Sequence, residues 1–156
     1  MKQRVNLIEK GGNMMKSIMV IKKHLDQSSV DNQLIELLSF RVSQINGCAV
    51  CLEMHGKELV AKGESVERLL VLDAWRETPF FSAKERAVLE WAEALTILDG
   101  NHVPDALYEE VAKHFNETEL IDLTLAVGFI NTANRLNIAF GTPVGNYKAG
   151  QIHQFN

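Results

Sequence analysis

Residues 117–140, ETELIDLTLAVGFINTANRLNIAF, form a long helical pattern that is the strongest indication of the fold class. Asn116 followed by Glu119 is a capping box, in which two side chains satisfy backbone N–H groups at a helix start. From Leu120 to Ile130 the segment is apolar on nearly all sides, which is typical of a helix at the centre of a bundle or in a subunit interface. The pattern predicts one helix from Glu117 to about Phe140.

Helical patterns account for most of the remaining chain. Apolar residues recur at three- and four-residue spacing, Asn46-Gly47 is typical of a helix end, and Ser65 and Ser82 are predicted N-caps. The predicted helices cover residues 13–27, 31–46, 48–61, 65–72, 82–98 and 104–115. The sequence contains no alternating strand pattern and no internal repeat. We therefore predict an all-α fold of six or seven helices in a single domain, residues 1–156, with a core at about 12–142 and a polar C-terminal tail.

The composition excludes several classes of protein. The 156 residues carry a formal charge of −4 and are 46% apolar, so we expect a folded chain that does not bind nucleic acid, which requires clustered Lys and Arg. The N-terminal residues lack the apolar run of a signal peptide, and the stretch from Leu120 to Ile130 is too short to span a membrane. These features predict a cytoplasmic protein with no membrane partner.

The chemically informative segment is NGCAVCLEMH, residues 46–55, which holds both cysteines of the chain. If a helix begins at Cys48, then Cys51 and His55 follow on the same helical face. His55 comes four residues after Cys51, the spacing at which side chains on a helix touch. A cysteine in the first helical turn lies near the positive end of the helix dipole, which favours the thiolate. The segment therefore predicts a reactive dithiol beside an imidazole.

Three other interpretations of this segment stay open on spacing alone. The two cysteines could be inert core residues beside a hydrogen-bonded histidine. A zinc site would need a fourth ligand, and the sequence lacks the second CxxC or HxxxH that usually helps to supply it. A thioredoxin-type motif would follow a strand in a βαβ unit, whereas a predicted helix precedes Cys48.

The arrangement resembles the carboxymuconolactone decarboxylase-like superfamily, and specifically its AhpD-like alkylhydroperoxidase branch. The signature of that branch is a glutamate about three turns before a CxxC pair and a histidine four residues after the pair. The matching residues here are Glu36, Cys48, Cys51 and His55. Further similarity lies at residues 41–48, 81–82 and 85–87 and at Asn131, Asn134 and Arg135. The resemblance covers roughly residues 12–142.

The resemblance implies an all-helical subunit that assembles into homo-oligomers, as trimers or hexamers. It implies thiol-dependent reduction of hydroperoxides without a bound cofactor or metal, and with a dithiol or protein reductant as the second partner. Cys51 would attack the peroxide, Cys48 would be the more exposed, resolving cysteine, and Glu36 and His55 would form a proton relay. The position of Cys48 at the helix start, by contrast, favours Cys48 as the more acidic thiol.

Two alternative functions accompany this resemblance. Well-studied peroxidase members carry a second histidine between the cysteines, where this chain has Val50. The first alternative is therefore a non-catalytic or ligand-binding helical oligomer that keeps the same scaffold. A lyase acting on a small carboxylated lactone is the second alternative, although true decarboxylases generally lack the CxxC pair. Activity that survives Cys48→Ser and Cys51→Ser together would favour the lyase.

Other polar residues on the predicted helices have structural interpretations. Arg41 and Arg76 could attract an anionic substrate, but an arginine on a helix more often forms an ion pair. Asn131, Asn134 and Arg135 interrupt an apolar helix at three- and four-residue spacing. Because buried amides need hydrogen-bond partners, these three residues predict a network that fixes a neighbouring helix or subunit.

Overall fold

The computed structural model describes residues 2–98, 100 and 102–151. These residues form seven α-helices and one 3-10 helix, which confirms the all-α prediction for the described part of the chain. The α-helices are Leu7–Asp26 (α1), Asn32–Asn46 (α2), Ala49–Ala61 (α3), Val66–Leu70 (α4), Ala83–Thr96 (α5), Asp105–Ala112 (α6) and Glu117–Phe140 (α7). The 3-10 helix, Leu72–Glu77, lies between α4 and α5. None of the helices in these ranges is long and apolar enough to cross a lipid bilayer.

Helices α2 and α7 lie at the centre of the fold. α7 packs against α1, α2, α3, α5 and α6, and α2 packs against α3, α5 and α7. The larger hydrophobic cluster includes Leu38 and Val42 from α2 and Leu123 and Val127 from α7. Five neighbours remove most of the apolar surface of α7 from water, which explains why this helix can be apolar on nearly all sides. Ile121, which is 68% exposed, is an exception.

Capping signals explain where several helices begin. Both capping boxes are formed, by Ser82 with Glu85 at the start of α5 and by Asn116 with Glu119 at the start of α7. Ser65 occupies the predicted N-cap position of α4, although its side chain forms no capping hydrogen bond with the described residues. The predicted helix over 65–72 is instead the short α4 followed by the 3-10 helix.

Helix α1 begins earlier than the predicted residues 13–27. It starts at Leu7, and the side chain of Asn6 caps it by accepting hydrogen bonds from the backbone N–H groups of Ile8 and Glu9. At Gly12 the backbone leaves the helical conformation, with φ 44° and ψ −118°. The predicted helix therefore corresponds to the part of α1 that follows this interruption.

The described residues after α7, 141–151, pack onto α3. The N–H of Gly145 donates to the Glu53 carboxylate at 2.7 Å, and the N–H of Gly150 donates to Glu58 Oε1 at 2.7 Å. The Tyr147 hydroxyl also donates to Glu58. These donors explain how the Glu58 carboxylate can be buried, since an unpaired buried charge would be strongly unfavourable.

Candidate active site

A turn between α2 and α3 places the two cysteines. Gly47 has the left-handed conformation, φ 69° and ψ 33°, which glycine adopts without steric cost. The N–H of Cys48 donates to the carbonyl of Ser43 at 3.1 Å, the long bond of a Schellman helix end. Cys48 then forms the N-cap of α3 in an extended conformation. The helix therefore begins at Ala49, one residue later than predicted, and Cys51 lies in its first turn.

Cys48 and Cys51 are joined by a disulfide, with their Cα atoms 5.4 Å apart. Each residue is 1% exposed, so the expected greater exposure of Cys48 is not found. The first N–H groups of a helix have no partner within it, and together with the helix dipole they stabilise negative charge on nearby sulfur. No group of three or more His, Cys, Asp or Glu side chains in the described ranges could hold a metal ion. The pair is thus placed for dithiol–disulfide chemistry.

Glu36 on α2 faces His55 on α3 in a buried contact. His55 Nδ1 lies 2.7 Å from Glu36 Oε2, and the two side chains are 6% and 7% exposed respectively. Burial tends to raise the pKa of Glu36. The hydrogen bond and charge of His55, supported by the charges of Lys62 and Lys22, outweigh burial and hold the pKa of Glu36 below its ordinary value of 4.5. Glu36 is therefore a carboxylate at neutral pH.

The second ring nitrogen of His55 is available for proton transfer. His55 Nε2 is buried, and the described residues offer it no hydrogen-bond partner. Because the Glu36 carboxylate accepts a hydrogen bond from the Nδ1–H group, a neutral His55 carries its available lone pair on Nε2. His55 follows Cys51 by one turn of α3, on the same helical face. Glu36 and His55 are thus in direct contact, and His55 lies one helical turn from Cys51.

The lowered pKa of Glu36 predicts an acid-dependent contribution to stability. A carboxyl group whose pKa is lower in the folded state stabilises that state above its unfolded pKa, and the contribution is lost as the pH falls through the folded value. We expect Glu36→Gln to lower the free energy of unfolding at about pH 7 and to show a shallower further loss below about pH 4.5. Urea unfolding across this pH range measures both effects. The matched control is Glu67→Gln at an exposed position, and parallel curves for Glu36→Gln and wild type would contradict the prediction.

Asn137 on α7 was not identified from the sequence, although it contacts the candidate site directly. Its side-chain N–H donates to Cys51 Sγ at 3.4 Å. The signal that could have revealed it is spacing, because Asn131, Asn134 and Asn137 recur every three residues along α7. The network predicted for the first two residues is one part of a longer row of amides, and the third member of the row reaches the sulfur.

The predicted polar network of α7 is confirmed within the chain. Asn46, at the end of α2, donates from Nδ2 to Asn131 Oδ1 and to Asn134 Oδ1, both at 2.9 Å. Asn134 in turn donates to Ser43 Oγ at 3.1 Å, and Arg135 donates to Asn131 Oδ1 at 2.7 Å. These bonds tie α7 to the last turn of α2, which leads directly into the turn before Cys48. The network therefore helps to fix the position of the cysteines.

Arg41 and Arg76 form ion pairs rather than lining the cysteine site. Arg41 Nε and Arg76 Nη1 lie 2.8 and 2.6 Å from the two carboxylate oxygens of Glu93, and Arg41 also contacts Asp73. Trp75 Nε1 donates to the same Glu93 carboxylate at 2.9 Å. The structural interpretation of both arginines is confirmed, because this cluster joins α2, the 3-10 helix and α5.

Comparison with known proteins places the chain in a family. Residues 14–94, just over half of the chain, match the model of the Carboxymuconolactone decarboxylase family. The chain is 41% identical over 141 residues to the uncharacterized protein YdfG of Bacillus subtilis strain 168, an alignment that covers 90% of this chain and 96% of YdfG.

Solved structures agree with this placement. A protein of unknown function from Agrobacterium tumefaciens, provisionally described as the antioxidant defence protein AhpD, has a TM-score of 0.87 and 34% identity, covering 92% of this chain and 100% of that one. An uncharacterized peroxidase-related protein from Ralstonia eutropha JMP134, described as an alkylhydroperoxidase AhpD core, shares the fold with a TM-score of 0.79 at 17% identity, over 90% and 74% of the two chains. The chain belongs to the carboxymuconolactone decarboxylase family, in its AhpD-like branch.

Proposed function

We propose that this protein is a thiol-dependent peroxidase that reduces organic hydroperoxides with the Cys48–Cys51 pair. The observation that carries the proposal is the buried Glu36–His55 hydrogen bond of 2.7 Å, one helical turn from Cys51 at the start of α3. An inert pair of core cysteines would not need a buried, ionised carboxylate beside a histidine whose second nitrogen is unbonded within the described residues. The similarity to a protein described as AhpD supports the same reaction class.

The first step is attack by a thiolate on the peroxide. After reduction of the disulfide, His55 Nε2 accepts the proton of the Cys51 thiol, while Glu36 holds the ring in the required tautomer. The Cys51 sulfur attacks the terminal peroxide oxygen, the O–O bond breaks, and the alkoxide leaves as an alcohol with the proton from His55. Cys51 becomes a sulfenic acid, so sulfur is oxidised as the peroxide is reduced.

The second step regenerates the disulfide that the structure contains. The Cys48 thiol loses its proton and its sulfur attacks the Cys51 sulfur; an S–S bond forms, the S–O bond breaks, and the hydroxide leaves as water with that proton. In sum, two thiols and one hydroperoxide give one disulfide, one alcohol and one water. An external dithiol or dithiol protein must then exchange with the disulfide to restore the thiols. We propose no cofactor or metal for this cycle, and we expect a cytoplasmic homo-oligomer, trimeric or hexameric.

Thiol counting on the reduced protein tests this function. Fully reduced protein is mixed with one equivalent of cumene hydroperoxide, and the remaining thiols are counted after rapid quenching, beside a small free dithiol at the same pH. We expect the loss of both thiols, with one cumyl alcohol formed per disulfide, at a rate on the order of a hundredfold above the free dithiol. A rate no higher than that of the free dithiol would reject the peroxidase and favour ligand binding or lyase activity.

A further inference from the structure

Asn137 is the described residue that hydrogen-bonds a sulfur atom of the CxxC pair. Its side-chain Nδ2 lies 3.4 Å from Cys51 Sγ, whereas no described residue forms a hydrogen bond with Cys48 Sγ. In this contact the amide N–H is the donor and the sulfur is the acceptor. The strength of the hydrogen bond therefore depends on whether the sulfur belongs to a disulfide or to a thiolate. A disulfide sulfur is a weak acceptor, while a thiolate carries a full negative charge and forms the stronger, charge-assisted bond.

Hydrogen bonds along α7 hold the backbone of Asn137 in place. The carbonyl of Asn137 accepts a hydrogen bond from the N–H of Thr142 at 3.0 Å, where Gly141 ends α7 in the left-handed conformation. Asn134, three residues earlier, is fully buried and bonded to α2. The backbone of Asn137 is therefore fixed on both sides along the helix, so only the side-chain torsions have to place the amide at the sulfur. A donor that needs little reorganisation stabilises a developing charge most effectively.

We propose that the Asn137 side chain stabilises the Cys51 thiolate and thereby makes Cys51, rather than Cys48, the attacking cysteine. The assignment of the attacking cysteine rests on the peroxidase function proposed above, but the ionisation of Cys51 can be measured without that function. It also decides between two opposing arguments. The N-cap position of Cys48 favours that residue by proximity to the helix end, while Cys51 has the first-turn position, the neighbouring His55 and the only described side-chain donor to sulfur.

The experiment isolates Cys51 in a protein that lacks Cys48. Cys48→Ser is combined with Asn137→Leu, which keeps the approximate volume without a donor, and separately with Asn137→Asp, which keeps the shape and adds a negative charge. The rate of alkylation by iodoacetamide is followed as a function of pH, because only the thiolate reacts. The control is Thr132→Val on the exposed side of α7, whose hydroxyl bonds only its own helix.

We expect both Asn137 variants to move the alkylation profile of Cys51 to higher pH and to slow alkylation near neutral pH by about tenfold, with the larger effect for Asp. Asn137→Gln, which retains an amide donor, should recover part of the rate. In the protein with both cysteines, Asn137→Leu should make the disulfide harder to reduce in a glutathione redox titration, because the reduced form loses stabilisation.

Clear results would overturn the proposal. An alkylation profile that is unchanged in Asn137→Leu and Asn137→Asp, in folded proteins with the wild-type circular dichroism spectrum, would show that the contact is only structural. An equal shift of the alkylation profile in Thr132→Val would also overturn the proposal, because the shift would then reflect a general loosening of α7. Failure of the peroxidase function is separable, since wild-type protein would then show no rapid thiol loss although Asn137 still controlled the ionisation of Cys51.

Discussion

Cys51→Ser is expected to abolish the rapid reaction with hydroperoxide. The serine hydroxyl cannot ionise near neutral pH, so no nucleophile remains beside His55, and the remaining thiol, Cys48, has no described hydrogen-bond donor at its sulfur. We expect the rate to fall on the order of a hundredfold, to the level of the free dithiol. Stopped-flow mixing with cumene hydroperoxide, followed by thiol counting, measures this loss.

Cys48→Ser serves as the matched control for Cys51→Ser. Both residues are buried to the same extent and both substitutions exchange sulfur for oxygen, so differences between them report chemical role rather than general disruption. Cys48→Ser should react once at nearly the wild-type rate and stop at the Cys51 sulfenic acid, since no resolving thiol is present. A 1,3-dicarbonyl reagent with mass spectrometry detects this product. Rapid reaction in Cys51→Ser, with a sulfenic acid at Cys48, would reverse the assigned roles.

The sequence was most informative where the signals are local. The bounds of α7, the capping boxes at Ser82 and Asn116, and the helix end at Gly47 all depend on residues within a few positions of each other. Hydrophobic periodicity and capping chemistry act over that range, so they can be recognised without knowledge of the fold. The CxxC pair with His55 is also local, because all three residues lie at the start of one helix.

Features that depend on contacts between distant segments were predicted less well. Glu36 lies off the apolar stripe of α2, and its burial becomes understandable only when His55 from α3 supplies a hydrogen bond. Glu58 gains its donors from Tyr147 and Gly150, about ninety residues further on, so spacing along α3 contains no sign of its burial. Asn137 was missed for the same reason, since its role depends on how α7 crosses the start of α3.

His55→Gln and Glu36→Gln are expected to show that the two residues act as one unit. Gln at position 55 can still donate a hydrogen bond toward Glu36, but it cannot accept the Cys51 proton. We expect about a hundredfold slower thiol oxidation near neutral pH. Glu36→Gln keeps the histidine and loses only the carboxylate that orients it, so we expect a smaller decrease of about tenfold. Stopped-flow kinetics of the reduced proteins with cumene hydroperoxide measure both.

The double variant and the pH profile separate a proton relay from simple loss of structure. If Glu36 acts through His55, the double variant should be no slower than His55→Gln alone, because the effects of residues that share one function do not multiply. The rate of His55→Gln should also recover at high pH, where hydroxide removes the proton of Cys51 and the imidazole is no longer needed. A double variant whose rate loss equals the product of the two single losses would contradict a relay. A rate of His55→Gln that stays low at all pH values would show that the substitution damages the site instead of removing a base.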